Sequence, residues 1–181
     1  MRTCLVICII SLVPGLARAD DEPKTLGLDG GLDMPTGDWS DGTGIGIGAL
    51  ARFEMPLAPK LALTARAGYI QHLGKDVDTG FGSGSSSAAE IPLLGGVRYA
   101  FSQQPTSAIY GAAELGLVVF RVSVDIDGMS QSNSDTNLGM SLGGGYRTGK
   151  LDLRGALLFP DLGHAGNLGL MATVGYQLTA L

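Results

Sequence analysis

The stretch Glu90-Ile91-Pro92-Leu93-Leu94-Gly95-Gly96-Val97-Arg98-Tyr99-Ala100-Phe101 poses the question on which the fold turns. Successive side chains of a strand point to opposite faces. One face then carries Ile91, Leu93, Gly95, Val97, Tyr99 and Phe101. The other carries Glu90, Pro92, Leu94, Gly96, Arg98 and Ala100. A soluble sandwich or barrel turns the apolar face inward. A barrel in a lipid bilayer does the reverse, with the apolar face toward lipid and the charged face lining the interior.

The same alternation recurs along the chain. Segment 25–34 sets Leu26, Leu28, Leu32 and Met34 against Asp29 and Asp33, and 45–57 sets Ile45, Ile47, Phe53 and Met55 against Arg52 and Glu54. Segment 61–70 opposes Leu61, Leu63, Ala65 and Tyr69 to Thr64, Arg66 and Gly68. Segment 109–119 has Glu114 on its polar face, 137–147 has Asn137, Ser141 and Arg147, 151–159 has Asp152 and Arg154, and 168–178 has Thr173 and Gln177. Near 120–124 the parity slips by one, as at a bulge or where a strand leaves the bilayer. With the opening stretch these make eight strands of about 9–11 residues, the length a tilted strand needs to cross a bilayer. Period two fits each better than helical spacing does. The expected fold is all-β, an eight-stranded antiparallel up-and-down transmembrane barrel.

Connections after strands 2, 4 and 6 are short, and those after 1, 3, 5 and 7 are mostly longer. This is the asymmetry of periplasmic turns and outer loops. The loops are read at 37–44, 72–89 (around the low-complexity run 80–87) and 125–135. Aromatic residues supply a separate signal. Phe53, Tyr99, Phe101, Tyr146 and Tyr176 fall near one set of strand ends, and Tyr69, Phe120, Phe159 and Trp39 at or beyond the other. Interfacial girdles gather aromatics at strand ends, whereas a soluble core gathers them at strand centres.

Residues 1–19 have the build of a secretory signal peptide: Arg2, an apolar run over 4–16, then Ala17-Arg18-Ala19. Cleavage is expected after Ala19, leaving a short polar tail at 20–24 and a barrel domain over 25–181. The bulky Val6 and Ile7 before Cys8 speak against a lipoprotein. The mature chain would have 162 residues (181 less 19), ten Lys+Arg (12 less 2) against 17 Asp+Glu, and no cysteine. No disulfide or thiol chemistry is then available. The acidic balance argues against nucleic acid as a partner.

With these features the chain resembles the small eight-stranded outer-membrane barrel family, the OmpA/OmpX-like type. The resemblance rests on the signal peptide, on Ile-Pro-Leu-Leu-Gly-Gly-Val-Arg-Tyr at 91–99, and on Gly-Leu-Met-Ala-Thr-Val-Gly-Tyr-Gln-Leu at 169–178. It implies a Gram-negative outer-membrane location, contact with outer-membrane lipid and lipopolysaccharide, and a monomer. The chain departs from the family pattern by ending in Leu181, which is neither aromatic nor in step with Tyr176 and Leu178.

Five arginines (Arg52, Arg66, Arg98, Arg147, Arg154) face six carboxylates (Asp29, Asp33, Glu54, Glu90, Glu114, Asp152) on the inner faces. This near balance suits a closed interior of paired charges. Eight strands leave room only for side chains to fill, so a structural plug is preferred to a conduit. Gly-Gly-Tyr-Arg-Thr-Gly-Lys at 144–150 lacks the Ser or Thr and the helix of a phosphate loop. It reads as a hairpin turn. The alternate glycines of 42–48 lie on one strand face, not at a helix start. Ser123, Asp125, Asp127 and Gly128 echo a calcium loop, but Ser134 stands where its closing Glu belongs; Asp125 and Asp127 are the only metal candidates, and no cofactor is expected. His72 and His164 are placed at the outer rim, with Asp161 and the serines of 83–87 nearby but nothing fixing a Ser beside either ring. No catalytic residue is assigned.

The outer loops are acidic (Asp38, Asp41, Asp76, Asp78, Asp125, Asp127, Asp135, Asp161), with Lys75 their only lysine and Arg121 at their base. The expected role is structural or interactive, through an extracellular partner of these loops. A secreted lipocalin-like ligand-binding barrel and an outer-rim enzyme acting on lipid A are the two alternatives.

Overall fold

The computed structural model describes residues 23–37, 39–78, 83–126, 129–163 and 166–181. The segment read as a signal peptide, with Asp38, Asp127 and His164, lies outside them. So do the side chains of Asp41, Lys75, Asp76, Asp78, Asp125 and the serines at 83, 85 and 86.

Eight strands run in sequence order: β1 Thr25–Thr36, β2 Gly46–Ala58, β3 Leu61–Asp78, β4 Ser83–Gln103, β5 Ser107–Ile126, β6 Met129–Thr148, β7 Leu151–Phe159 and β8 Leu168–Ala180. Each pairs antiparallel with its neighbour, and β1 pairs with β8 to close the ring. Closure leaves no free edge in the barrel wall. One end has tight connections at 59–60, 104–106 and 149–150. There Gly149 takes a left-handed φ of 55° that a residue with a Cβ would resist. The β1–β2 connection contains the one short helical turn among the described residues, α1 Trp39–Gly42. Backbone hydrogen bonds of Gly44 and Ile45 with Leu73 tie that connection to β3.

Alternation holds around the ring, and it places the apolar faces outward. Leu28, Ile47, Leu93, Leu115, Leu138, Leu153 and Val174 are exposed, while Asp29, Arg52, Glu90, Glu114 and Asp152 are buried. A lipocalin-type barrel would bury the first set. In the opening stretch, Ile91, Leu93, Val97, Tyr99 and Phe101 point out, and Glu90 and Leu94 point in.

Four expectations need correction. Residues 72–89 and 125–135 are not irregular loops. The ladders of β3–β4 and β5–β6 continue to Asp78↔Ser83 and Ile126↔Met129. Backbone pairing persists there without an apolar face, because a hairpin in water needs no alternation. Strands β3 to β6, of 18, 21, 20 and 20 residues, thus exceed a bilayer crossing by about ten residues, ~30 Å of strand. No bulge breaks β5 near Phe120, whose ladder to β4 and β6 is continuous from 108 to 126 apart from an irregularity on β4 at Ala100/Ser102. The parity slip marks the strand's exit from the apolar belt. Phe120 itself points inward and packs on the inner cluster, so it does not belong to a girdle. His72 lies not in a rim loop but within β3, opposite Gly46 and Ala88, where it is fully buried.

Close strand contact inside the ring requires glycine at Gly96. A Cβ there would lie 2.6 Å from the Cα of Glu114 and closer still to the carbonyl oxygen of Ala113, both backbone atoms that cannot yield. Gly96→Ala is expected to destabilise the barrel by about 1–3 kcal/mol, read as a lower urea midpoint for protein folded in detergent.

Candidate functional site

The interior is stratified. Toward the tight-turn end lies an ion-pair network fed by seven of the eight strands. Arg52 on β2 binds Asp29 on β1 at 3.1 Å and Glu54 at 2.6 Å. Arg66 on β3 donates to the same Asp29. Glu54 also receives Arg98 of β4 at 2.6 Å and Arg147 of β6 at 2.8 Å. Arg147 reaches Asp152 of β7 at 2.9 Å, and Tyr110 of β5 donates its hydroxyl to that carboxylate. A second pair is bidentate, Arg154 of β7 to both oxygens of Glu114 at 2.8 and 2.9 Å. Ser141 and Thr64 complete it. Charge-assisted, fork-shaped bonds of this kind offset the cost of taking guanidinium and carboxylate groups out of water.

Above this network an apolar layer crosses the interior: Ile70, Leu94, Val118, Ala156, Leu158 and Met171, all buried. Beyond it, toward the long hairpins, stands a separate group of Asp33 on β1, His72 on β3 and Glu90 on β4. The Nε2 of His72 is 3.4 Å from Glu90 and 3.9 Å from Asp33. Trp39 of α1 lies against the His72 ring at 5.2 Å between centroids and meets Phe120 edge-on at 5.7 Å.

Nine of the eleven expected interior charges are therefore joined in the arginine pairs, and two, Asp33 and Glu90, are not. Among the described residues no arginine stands on the inner faces at their level, and the apolar layer separates them from the arginines below. Glu90 and Arg98 share a strand but take different partners, His72 and Glu54. Sequence reading missed Tyr110 and the apolar layer, and put His72 at the rim rather than inside the barrel. Their signal was parity: Tyr110 is in step with Glu114, His72 with Arg66, and Leu94 with Glu90.

The outward aromatics fall at two levels. Tyr99, Phe101, Tyr146 and Tyr176 are exposed at the tight-turn end, with Phe53 half-buried beside them. Tyr99 and Phe101 contact each other edge-on, and Lys150 lies 6.0 Å from the Tyr176 ring. Tyr69 is exposed and Phe159 half-buried near the opposite end.

A closed ring with an apolar exterior and a charged interior is the build of a small membrane β-barrel, and no helix among the described residues is long and apolar enough to cross a membrane. The chain belongs to the outer membrane protein beta-barrel domain family, which it matches over residues 5–177. Its location is the bacterial outer membrane. Among solved structures it is similar to Ail, the attachment invasion locus protein of Yersinia pestis, in complex with the heparin analogue sucrose octasulfate. That match has a TM-score of 0.59 and 12% identity, and covers 87% of this chain and 99% of that one. It is also similar to Neisserial surface protein A, with a TM-score of 0.52 and 15% identity over 86% of this chain and 96% of that one. These likenesses are of fold. No curated relative matches the chain in sequence.

Proposed function

We propose that this protein is a non-enzymatic, non-conducting barrel that serves as a structural or surface-interaction protein through its outer hairpins. The observation that carries this reading is the stratified interior, a cross-linked charge layer followed by an apolar layer. An ion moving along the axis would have to shed its water at the apolar layer after breaking paired guanidinium groups, and both steps are costly. A pocket of about 240 Å³ enters from the tight-turn end and reaches Glu54, Arg98, Arg147 and Tyr110, which places its floor at the charge layer. The hydroxyl of Tyr110 and the guanidinium of Arg154 are spent on their carboxylates, so they serve packing rather than chemistry.

The two long hairpins, β3–β4 and β5–β6, project past the belt on the side we assign to the cell exterior, and the tight turns face the periplasm. Tyr69, Tyr99, Phe101, Tyr146, Tyr176, Phe53 and Phe159 would sit at the two lipid interfaces, among outer-membrane lipid and lipopolysaccharide. The segment 1–19 would direct export and be removed. With no free edge, the barrel would stand as a monomer. The hairpins and connections are rich in Asp, a charge that favours a cationic partner over an anion or nucleic acid. Mature protein reconstituted in planar bilayers is expected to give no stepwise conductance at 100 mV. Discrete steps in most insertions would overturn the closed reading. Lipid A from cells overproducing the protein is expected to be unchanged, and a new lipid A species would establish a rim enzyme instead.

A further inference from the structure

We infer that Asp33, His72 and Glu90 form a binding site for one divalent transition-metal ion inside the outer half of the barrel. One ligand atom from each residue lies within 4.8 Å of the other two. All three residues are buried to 1% exposure or less. Both carboxylate oxygens of Asp33, and Oε1 of Glu90, have no hydrogen-bond partner among the described residues. Buried carboxylate oxygens are rarely left so, because each loses its hydration with nothing in exchange.

The histidine is oriented for this task. Its Nδ1 lies 3.1 Å from the carbonyl oxygen of Gly44, an acceptor only, so Nδ1 carries the proton in that bond. In the neutral ring this leaves the lone pair of Nε2 directed at the two carboxylates. A backbone carbonyl that fixes the tautomer from behind is the usual outer partner of a metal-binding imidazole. At zinc–ligand lengths near 2.0–2.2 Å, two donors on a tetrahedral edge stand about 3.4 Å apart. The Nε2 to Glu90 separation is 3.4 Å and the Nε2 to Asp33 separation 3.9 Å, so small side-chain shifts close the site. Glycines on the adjoining strands make the room. A Cβ on Gly169 would lie 2.5 Å from Oδ1 of Asp33, and one on Gly46 would lie 2.9 Å from Nδ1 of His72.

Charge points the same way. Two carboxylates with an imidazolium leave one negative charge in a pocket set apart from the arginines by the layer of Ile70, Leu94 and Val118. Two carboxylates, a neutral imidazole and a divalent ion sum to zero. Two oxygens and one imidazole nitrogen with an open fourth position suit zinc or a neighbouring transition ion. Calcium takes six to eight oxygens, which this group does not provide.

Trp39 is the only tryptophan in the chain, and its ring contact with His72 makes it an internal reporter. The mature protein, folded in detergent and stripped with a chelator, is titrated with zinc and separately with calcium. Metal content is then measured after desalting. Expected are one retained equivalent of zinc, a saturable change in Trp39 emission, and no response to calcium. Loss of an outer-shell partner weakens metal sites by about 10–100-fold. His72→Gln and Asp33→Asn, which remove ligands themselves, should weaken zinc at least about a hundredfold, while both proteins keep the heat-dependent gel shift of a closed barrel. Glu90→Gln substitutes for either variant that fails to fold. Folded wild type that retains no zinc overturns the site. So does zinc retained equally by the folded variants, zinc that leaves Trp39 emission unchanged, or a preference for calcium.

Discussion

Glu54→Gln is expected to lower the free energy of unfolding by roughly 3–5 kcal/mol, as the loss of one partner from a buried ion-pair network does. Glu54 is the point where three guanidinium groups converge, those of Arg52, Arg98 and Arg147. Glutamine keeps the shape but removes the charge, and it turns an amide N–H₂ toward a cation. Arg52 would keep Asp29 at 3.1 Å and face Asp152 at 3.6 Å, whereas Arg98 would have only Asp152, already bound by Arg147, at 3.7 Å. Arg98 and Arg147 lie at the partly open turn end and can recover some water, whereas Arg52 cannot. The measurement is urea unfolding in detergent or lipid vesicles followed by the gel shift. Glu54→Gln combined with Arg98→Met should be less destabilised than Glu54→Gln alone, since neighbouring charges couple. A loss below about 1 kcal/mol for the single variant would mean that water already penetrates the layer and that the plug is not dry.

The alternation of Leu26, Leu28 and Leu32 with Asp29 and Asp33 made the first strand legible, and its repetition gave eight strands and their orientation. Short connections after the even strands then gave antiparallel neighbours. What could not be read has physical causes. Where β3–β4 and β5–β6 leave the apolar belt, both faces are wet, so sequence contrast vanishes while backbone pairing continues. Phe120 and His72 fall at that boundary, where alternation no longer tells an inward side chain from an outward one or a strand from a loop. The apolar layer was hidden because Leu94 and Val118 replace a polar residue on an inner face that alternation only ranks against its neighbours. Register decides the rest. That Asp29 binds Arg52 and Arg66 while Asp33, four residues on, meets a histidine depends on strand stagger, which no single strand encodes.

Leu115→Arg is expected to cost about 2–4 kcal/mol, the depth-dependent penalty for arginine on the lipid face near the bilayer midplane. Leu115 points outward from the middle of the β5 crossing, with Gly95 and Met140 as its cross-strand neighbours, and half of its surface is exposed. Exposure is what makes the test discriminating. If water surrounded the barrel, replacing an exposed leucine would change stability by about 0.5 kcal/mol or less. Lipid turns the same position into one of the least tolerant. Ile109 supplies the internal comparison, since it faces outward from the same strand six residues nearer the turn end, level with the aromatic residue Tyr146 across the ladder. Ile109→Arg should cost only about 0–1 kcal/mol, because the guanidinium there reaches the interface. The difference between the two sites cancels whatever arginine does to strand propensity or to the unfolded chain. A difference of at least about 2 kcal/mol in vesicles locates the hydrocarbon across Leu115, and equal costs would place the belt elsewhere on the barrel.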